Sequence, residues 1–115
     1  MILGCAAFAH RGLWSPDGAP ENSIAAFRAA AEAGRGIELD VQLSKDGVPV
    51  VFHDPALDRM TPASGPVWER TAEELCALEL SASGERIPRL SEALAALPSS
   101  TPVLVELKPS PGPHD

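Results

Sequence analysis

Basic residues are scarce in this chain: nine Lys and Arg stand against sixteen Asp and Glu, a formal net charge of −7 over 115 residues. Without a cluster of cations to displace counterions from phosphates, nucleic acid is excluded as a partner class. A small anionic substrate is not excluded, because it needs only a local cationic pocket. Cysteine is nearly absent as well. Cys5 and Cys76 have no metal-type spacing, so two buried or inert thiols in a reducing compartment are the simple reading. No apolar run approaches the roughly 20 residues that span a bilayer. The opening "MILGC" resembles a bacterial lipoprotein cleavage box, but it lacks the charged and apolar regions that must precede one, and a cytoplasmic location is expected. No internal repeat is present.

What is there suits one globular domain, with 44% hydrophobic and 22% charged residues. The run Cys5–Ala9 predicts a buried strand that breaks at His10-Arg11-Gly12 into the loop "LWSPDGAPEN". A helix is expected to start near Asn22 or Ser23 and stop at Gly34, with Ile24, Phe27, Ala30 and Ala31 at helical spacing. From Ile37 to Leu43 the pattern alternates: Ile37, Leu39, Val41 and Leu43 on one face, Glu38, Asp40 and Gln42 on the other. Asp46-Gly47 predicts a hairpin turn into a strand over Val48–Phe52. With those two as the turn residues, Lys45 pairs with Val48 and Asp40 with His53, so Glu38, Asp40 and His53 converge on one face.

Residues 55–70 read as an insertion-like loop region. Thr71–Leu80 predicts a helix with a Thr71/Glu74 capping box. A further helix is expected over Leu90–Leu97, with Leu90, Ala93, Leu94 and Leu97 as its apolar stripe. "VLVELK" (103–108) predicts another buried strand, with Glu106 and Lys108 on one face. The order of elements is that of an α/β protein built from βαβ units.

Each charged strand residue alone has an ordinary explanation, as an edge or solvent-facing group. Their recurrence is the signal. His10 and Arg11 end one strand, Glu38 and Asp40 lie in the second, and Glu106 and Lys108 close the last. Parallel α/β sheets and barrels bind ligands at the carboxyl ends of their strands. Unpaired buried ions cost several kcal/mol each, and a hard divalent cation, Mg²⁺ or Ca²⁺, resolves that cost for carboxylates. Two histidines suit a general acid and a general base. Arg11 and Lys108 suit a phosphate oxyanion. Together they point to metal-assisted hydrolysis of a phosphate diester.

The motifs "AHRG" (9–12), "PENSIAAF" (20–27) and "IELDVQLSKDGVPVVFHD" (37–54) resemble, in order, the signature of the glycerophosphodiester phosphodiesterases. The likeness continues through "LDRMTPASGPVWERTAEEL" (57–75), "IPRLSEAL" (87–94) and "VLVELK" (103–108), covering about residues 6–108. The resemblance implies a (β/α)₈ TIM-type barrel with a small insertion after the second strand's hairpin. It implies Glu38, Asp40 and Glu106 as ligands of one divalent cation, Mg²⁺ or Ca²⁺. His10 and His53 become the acid–base pair, and Arg11 and Lys108 hold the phosphate of a small-molecule glycerophosphodiester. Glu21 and Asn22 match positions near the family's active site, while as residues they serve equally to cap the first helix. A complete barrel takes about 250 residues, so this chain corresponds to the first roughly three βα units of a partial barrel. Self-association or a complementary fragment is then expected. Two alternatives remain at this level: a non-enzymatic remnant that binds a divalent cation, and a related lipid phosphodiesterase of the sphingomyelinase D or phosphoinositide phospholipase type.

Overall fold

A computed structural model describes residues 7–109; the readings made at Cys5 and at the lipoprotein-like box lie outside the described residues. Strand β1 (Phe8–His10) leads through a loop to helix α1 (Ile24–Glu32), then to strand β2 (Gly36–Leu43) and strand β3 (Pro49–Val51). A single 3₁₀ turn (Val67–Glu69), helices α2 (Ala72–Cys76) and α3 (Leu90–Ala95), and strand β4 (Val103–Leu107) complete it. The α/β class expected from the sequence holds.

The long alternating strand β2 is the hub of the sheet. β4 runs parallel to it along one edge, from Ile37↔Val103 to Val41↔Leu107. The other edge is shared: β1 pairs in parallel with its first half (His10↔Glu38), and β3 pairs antiparallel with its second (Val41↔Val51). The alternation separates two faces as predicted. Ile37, Leu39 and Val41 pack with Ala9, Phe27 and Ala93 between the sheet and the helices. Glu38, Asp40 and Gln42 occupy the opposite face, together with their ladder partners His10 and Glu106. Burial of Phe27, at 0% exposure, stabilises α1 against the sheet by about 2–3 kcal/mol. A second core, built from Phe52, Leu57, Val67, Leu75, Leu80 and Ile87, gathers the segment after β3.

Four local expectations are corrected. The hairpin register differs by one residue. Ser44 N–H donates to the Val48 carbonyl and Gly47, at φ +79°, closes a three-residue loop, so Gln42 faces Val50. The predicted Lys45–Val48 and Asp40–His53 pairings therefore do not form. Helix α2 ends at Cys76 rather than Leu80. Leu80 instead accepts burial in the second core, while Glu79 forms a β-bridge with Arg86. On α3, Leu94 is 44% exposed while Ala93 is fully buried. β4 is also not a buried strand: among the described residues it pairs on one side only, and Leu107 is 74% exposed.

The caps follow simple chemistry. Ser23, not Asn22 or Glu21, caps α1, its hydroxyl accepting from Ala26 N–H. The Thr71/Glu74 capping box forms as the sequence predicts.

Candidate functional site

The turn after β1 delivers the first two groups. Gly12 takes φ +81°, and a Cβ there would stand 2.8 Å from Ala26 Cβ, so only glycine lets the turn lie on α1. Next to it Arg11 adopts φ 61°, and Asn22, whose N–H donates to the Arg11 carbonyl, adopts φ 57°. Non-glycine residues in this left-handed region are sparse and concentrate at functional sites. Both side chains turn toward β2. Asn22 Nδ2 donates to Asp40 Oδ2 at 3.0 Å, and Arg11 Nε lies 3.6 Å from the same oxygen. Arg11 Nε and Asn22 Oδ1 are buried without hydrogen-bond partners among the described residues.

β2 and β4 deliver the acids. Asp40 and Glu106 are ladder partners, and Glu38 lies two residues earlier on the same face. Lys108 Nζ is 3.0 Å from Glu106 Oε2 and 3.6 Å from Asp40 Oδ1. That hydrogen bond holds the Glu106 carboxyl below its ordinary range and raises Lys108, with the Asp40 charge adding to the latter. His10 Nε2 stands 4.0 Å from Glu38 Oε1.

His53 is placed by an unforeseen route. Continuing the observed register would set it opposite Leu39, among residues that pack against helices. The ladder ends at Val51 instead, and Gln42 takes over: its Nε2 donates to the carbonyls of Phe52 (2.8 Å) and Asp54 (2.7 Å), the two residues flanking His53. Lys108 dominates the lowering of Glu106, with smaller further contributions from His53 and His10. His10, Glu38, Asp40 and Glu106 share one face of the sheet, Arg11 and Lys108 reach Asp40 there, and His53 stands beside Asp54 and Glu21.

Three participants, Gln42, Asp54 and Arg59, were given no role at the level of sequence. His53 Nδ1 lies 2.8 Å from Asp54 Oδ1, and Arg59 Nε donates to Asp54 Oδ2 at 2.8 Å. The hydrogen bond from Arg59, with help from His53, brings the Asp54 pKa down to about 2. Glu21, nearly fully buried, accepts from both Arg11 and Arg59. Glu21 and Arg59 also line an open cleft of about 270 Å³ with Trp14, Pro20 and Met60.

Among the described residues, one trio brings metal-ligand atoms within 4.8 Å of one another: Glu21, His53 and Asp54. Its carboxylate oxygens are already taken by two guanidinium groups and an imidazole, so a cation there would have to displace Arg59. Glu38, Asp40 and Glu106 are hard oxygen donors on adjacent strands, but they are not a group whose oxygens all lie within 4.8 Å of one another. Asp40 stands against Arg11 and Lys108, and Glu106 against Lys108. Glu21, Glu38, Asp40, Asp54 and Glu106 outnumber Arg11, Arg59 and Lys108 by two charges. No helix among the described residues is long and apolar enough to cross a membrane.

The model of the Glycerophosphoryl diester phosphodiesterase family matches residues 10–113. A glycerophosphodiester phosphodiesterase of Caldanaerobacter subterraneus is 50% identical over 91 residues, covering 73% of this chain and 37% of that protein. Glycerophosphodiester phosphodiesterase 1 of Mus musculus is 43% identical over 97 residues, covering 76% and 29%. Among solved structures, a glycerophosphodiester phosphodiesterase from Agrobacterium tumefaciens superimposes with a TM-score of 0.82 at 38% identity, covering 91% of this chain and 48% of the other. An Oleispira antarctica phosphodiesterase in complex with the product sn-glycerol-3-phosphate matches with a TM-score of 0.82 at 35% identity, covering 91% and 45%. The chain therefore spans less than half the length of these relatives.

Proposed function

The chain belongs to the glycerophosphoryl diester phosphodiesterase family, and from that membership we propose that it carries the catalytic residues for hydrolysing glycerophosphodiesters to an alcohol and glycerol 3-phosphate. The observation that supports the reading is the gathering of His10, Arg11, Lys108 and three carboxylates about one sheet face, with His53 beside Asp54 and Glu21. Arg11 and Lys108 bind the phosphate oxygens; Arg11 Nε, 3.6 Å from Asp40, has no hydrogen-bond partner among the described residues. His10 and His53 divide the proton work. As the oxygen of water bonds to phosphorus, one imidazole takes its proton. As the bond to the alcohol breaks, the other supplies a proton to the departing oxygen. Glu38, Asp40 and Glu106 are the residues that would hold a divalent cation, Mg²⁺ or Ca²⁺. Such an ion polarises the phosphoryl group and neutralises charge developing in the transition state. Asn22 steers Asp40 through its amide.

The same membership supports a (β/α)₈ barrel in which β1, β2 and β4 are the first three parallel strands and residues 55–70 an insertion. The free edge of β4, with Leu104 and Leu107 exposed on its two faces, is then where the next strand of such a barrel docks. The chain on its own is expected to associate with itself or with a complementary fragment through that edge, which sedimentation at several concentrations would reveal.

The direct test is release of glycerol 3-phosphate from glycerophosphocholine with Mg²⁺, with Ca²⁺ and with chelator. Cation-dependent release, lost in His10→Ala and His53→Ala, is the expected result. The exposed β4 favours one second reading, that of a cation-binding portion that does not turn over alone. A folded chain that is stabilised by the cation but releases no product would establish it.

A further inference from the structure

The function proposed above uses His10, His53, Arg11, Lys108 and three carboxylates, and leaves Arg59 without a role. Yet Arg59 is the one side chain that ties together groups from opposite ends of the site. From the segment after β3 its Nε and Nη2 donate to Asp54 at 2.8 and 3.1 Å, and its Nη1 and Nη2 donate to Glu21 at 3.2 and 2.8 Å. Glu21 in turn accepts from Arg11 Nη1 at 3.2 and 3.3 Å, and Asp54 Oδ1 meets His53 Nδ1 at 2.8 Å. An unbroken path of charged hydrogen bonds runs Arg11–Glu21–Arg59–Asp54–His53. A half-exposed arginine ordinarily gains little from one surface carboxylate. One planar fork bridging two carboxylates, one of them buried, is a different arrangement.

The chemistry of the last link decides what the path does. An ionised carboxylate only accepts hydrogen bonds. The proton between His53 and Asp54 therefore belongs to the imidazole Nδ1, and the lone pair of the neutral ring sits on Nε2. The geometry points to Arg59 as a positioning residue. By holding Asp54 against His53 Nδ1 it fixes the Nδ1–H tautomer and leaves Nε2 for the reacting groups, and by holding Glu21 it aligns Arg11 from the same anchor. Asp54 stays ionised far below neutral pH because Arg59 donates to it. A free imidazole distributes its proton between both nitrogens; a second partner on one nitrogen is what selects. Gln42 orients the backbone on both sides of His53 but touches neither ring nitrogen. Among the described residues Asp54 is the one group hydrogen-bonded to the ring, so the tautomer depends on Asp54 and, through it, on Arg59.

The catalytic meaning of this inference rests on the function proposed for His53, but its physical content is tested without turnover. The test is a long-range ¹H–¹⁵N correlation spectrum of the full chain with ¹⁵N-labelled histidine, above the pH at which the imidazoles are protonated, with His53 assigned by substitution. The expected wild-type pattern is the Nδ1–H form at His53. Arg59→Ala and the isosteric Asp54→Asn should each move His53 toward the Nε2–H form while the His10 pattern is unchanged. A His53 that is Nε2–H in the wild type, or a tautomer that moves in neither variant, overturns the assignment. Should Arg59→Ala lose the folded spectrum, Asp54→Asn decides by itself, since it keeps the side chain's shape. Absence of glycerol 3-phosphate release would count against the function and leave the tautomer result standing.

Discussion

Asp40 and Glu106 face each other across the parallel ladder between β2 and β4, and the Lys108 ammonium lies between their carboxylates, 3.6 Å from one and 3.0 Å from the other. Like charges directly opposite one another destabilise a sheet, so the pair needs a cation. Lys108→Ala should lower Tm in chelator and enlarge the Tm gain on adding Mg²⁺ or Ca²⁺ relative to wild type. A tightly bound ion at about 100 times its Kd contributes roughly 2.7 kcal/mol. A gain no larger than that of the wild type would remove Asp40 and Glu106 from the candidate cation site.

Gln42 holds two carbonyls with one amide group, and it is buried. Gln42→Ala should cost roughly 2–3 kcal/mol for the lost bonds and the carbonyls left behind, measured by urea unfolding. The catalytic reading adds a second expectation: turnover should fall more than stability alone explains, because His53 loses the support of both neighbours. Turnover that tracks only the folded fraction would make Gln42 a structural residue and nothing more.

Asp54 supplies a pH dependence whose sign is fixed. Its pKa is about 2 in the folded chain against an ordinary value of 3.8, so the folded state binds the proton less readily than the unfolded one. Stability from the Asp54 contacts with Arg59 and His53 is complete above about 3.8 and lost as pH falls through about 2. Between about pH 4 and pH 2, Tm should therefore fall more steeply in the wild type than in Asp54→Asn. Equal slopes would mean that the ion pair contributes nothing in solution. Glu21, which faces the same guanidinium, is kept in both samples.

Gly12→Ala combines a φ of +81° with a Cβ 2.8 Å from Ala26 Cβ and 2.9 Å from its carbonyl carbon. Backbone strain of this kind costs roughly 1–3 kcal/mol, and the neighbour here is partly main chain, which cannot swing aside. A loss in that range by chemical denaturation is expected. A variant as stable as the parent would show that the β1–α1 turn is not held against the helix.

Local chemistry was legible from residues alone wherever it depended on near neighbours in sequence. The alternation from Ile37 to Leu43 marked both faces of β2, and Ser23 and the Thr71/Glu74 pair marked two helix starts. Glu38 and Asp40 share one face of β2 as the alternation predicts, but the Asp40–His53 pairing does not form, and His53 stands beside Asp54 and Glu21 instead. A hairpin can close with two or three loop residues around the same Asp46-Gly47, and that choice depends on Ser44 and Val48 as well as on the turn. His53 then depends on Gln42, whose bonds to Phe52 and Asp54 are side chain to main chain and leave no periodic trace. Arg59 was hidden for a related reason: a long side chain from a loop can reach many partners, and spacing does not select among them. The apolar run at 103–107 revealed an ability to be buried, but not whether anything covers it.

Every ladder of the sheet among the described residues includes β2. Its amides and carbonyls are thus shared with β1, β3 and β4, and none can be freed while the other strands stay assembled. In hydrogen exchange, the interior of β2 should protect longest and open only with the whole molecule. The segment carrying His53 and the free side of β4 should exchange through cheap local openings. The carboxylates of β2 therefore stand on the slowest-opening ground in the chain, while His53, beyond the end of β3, is carried by ground that opens more readily.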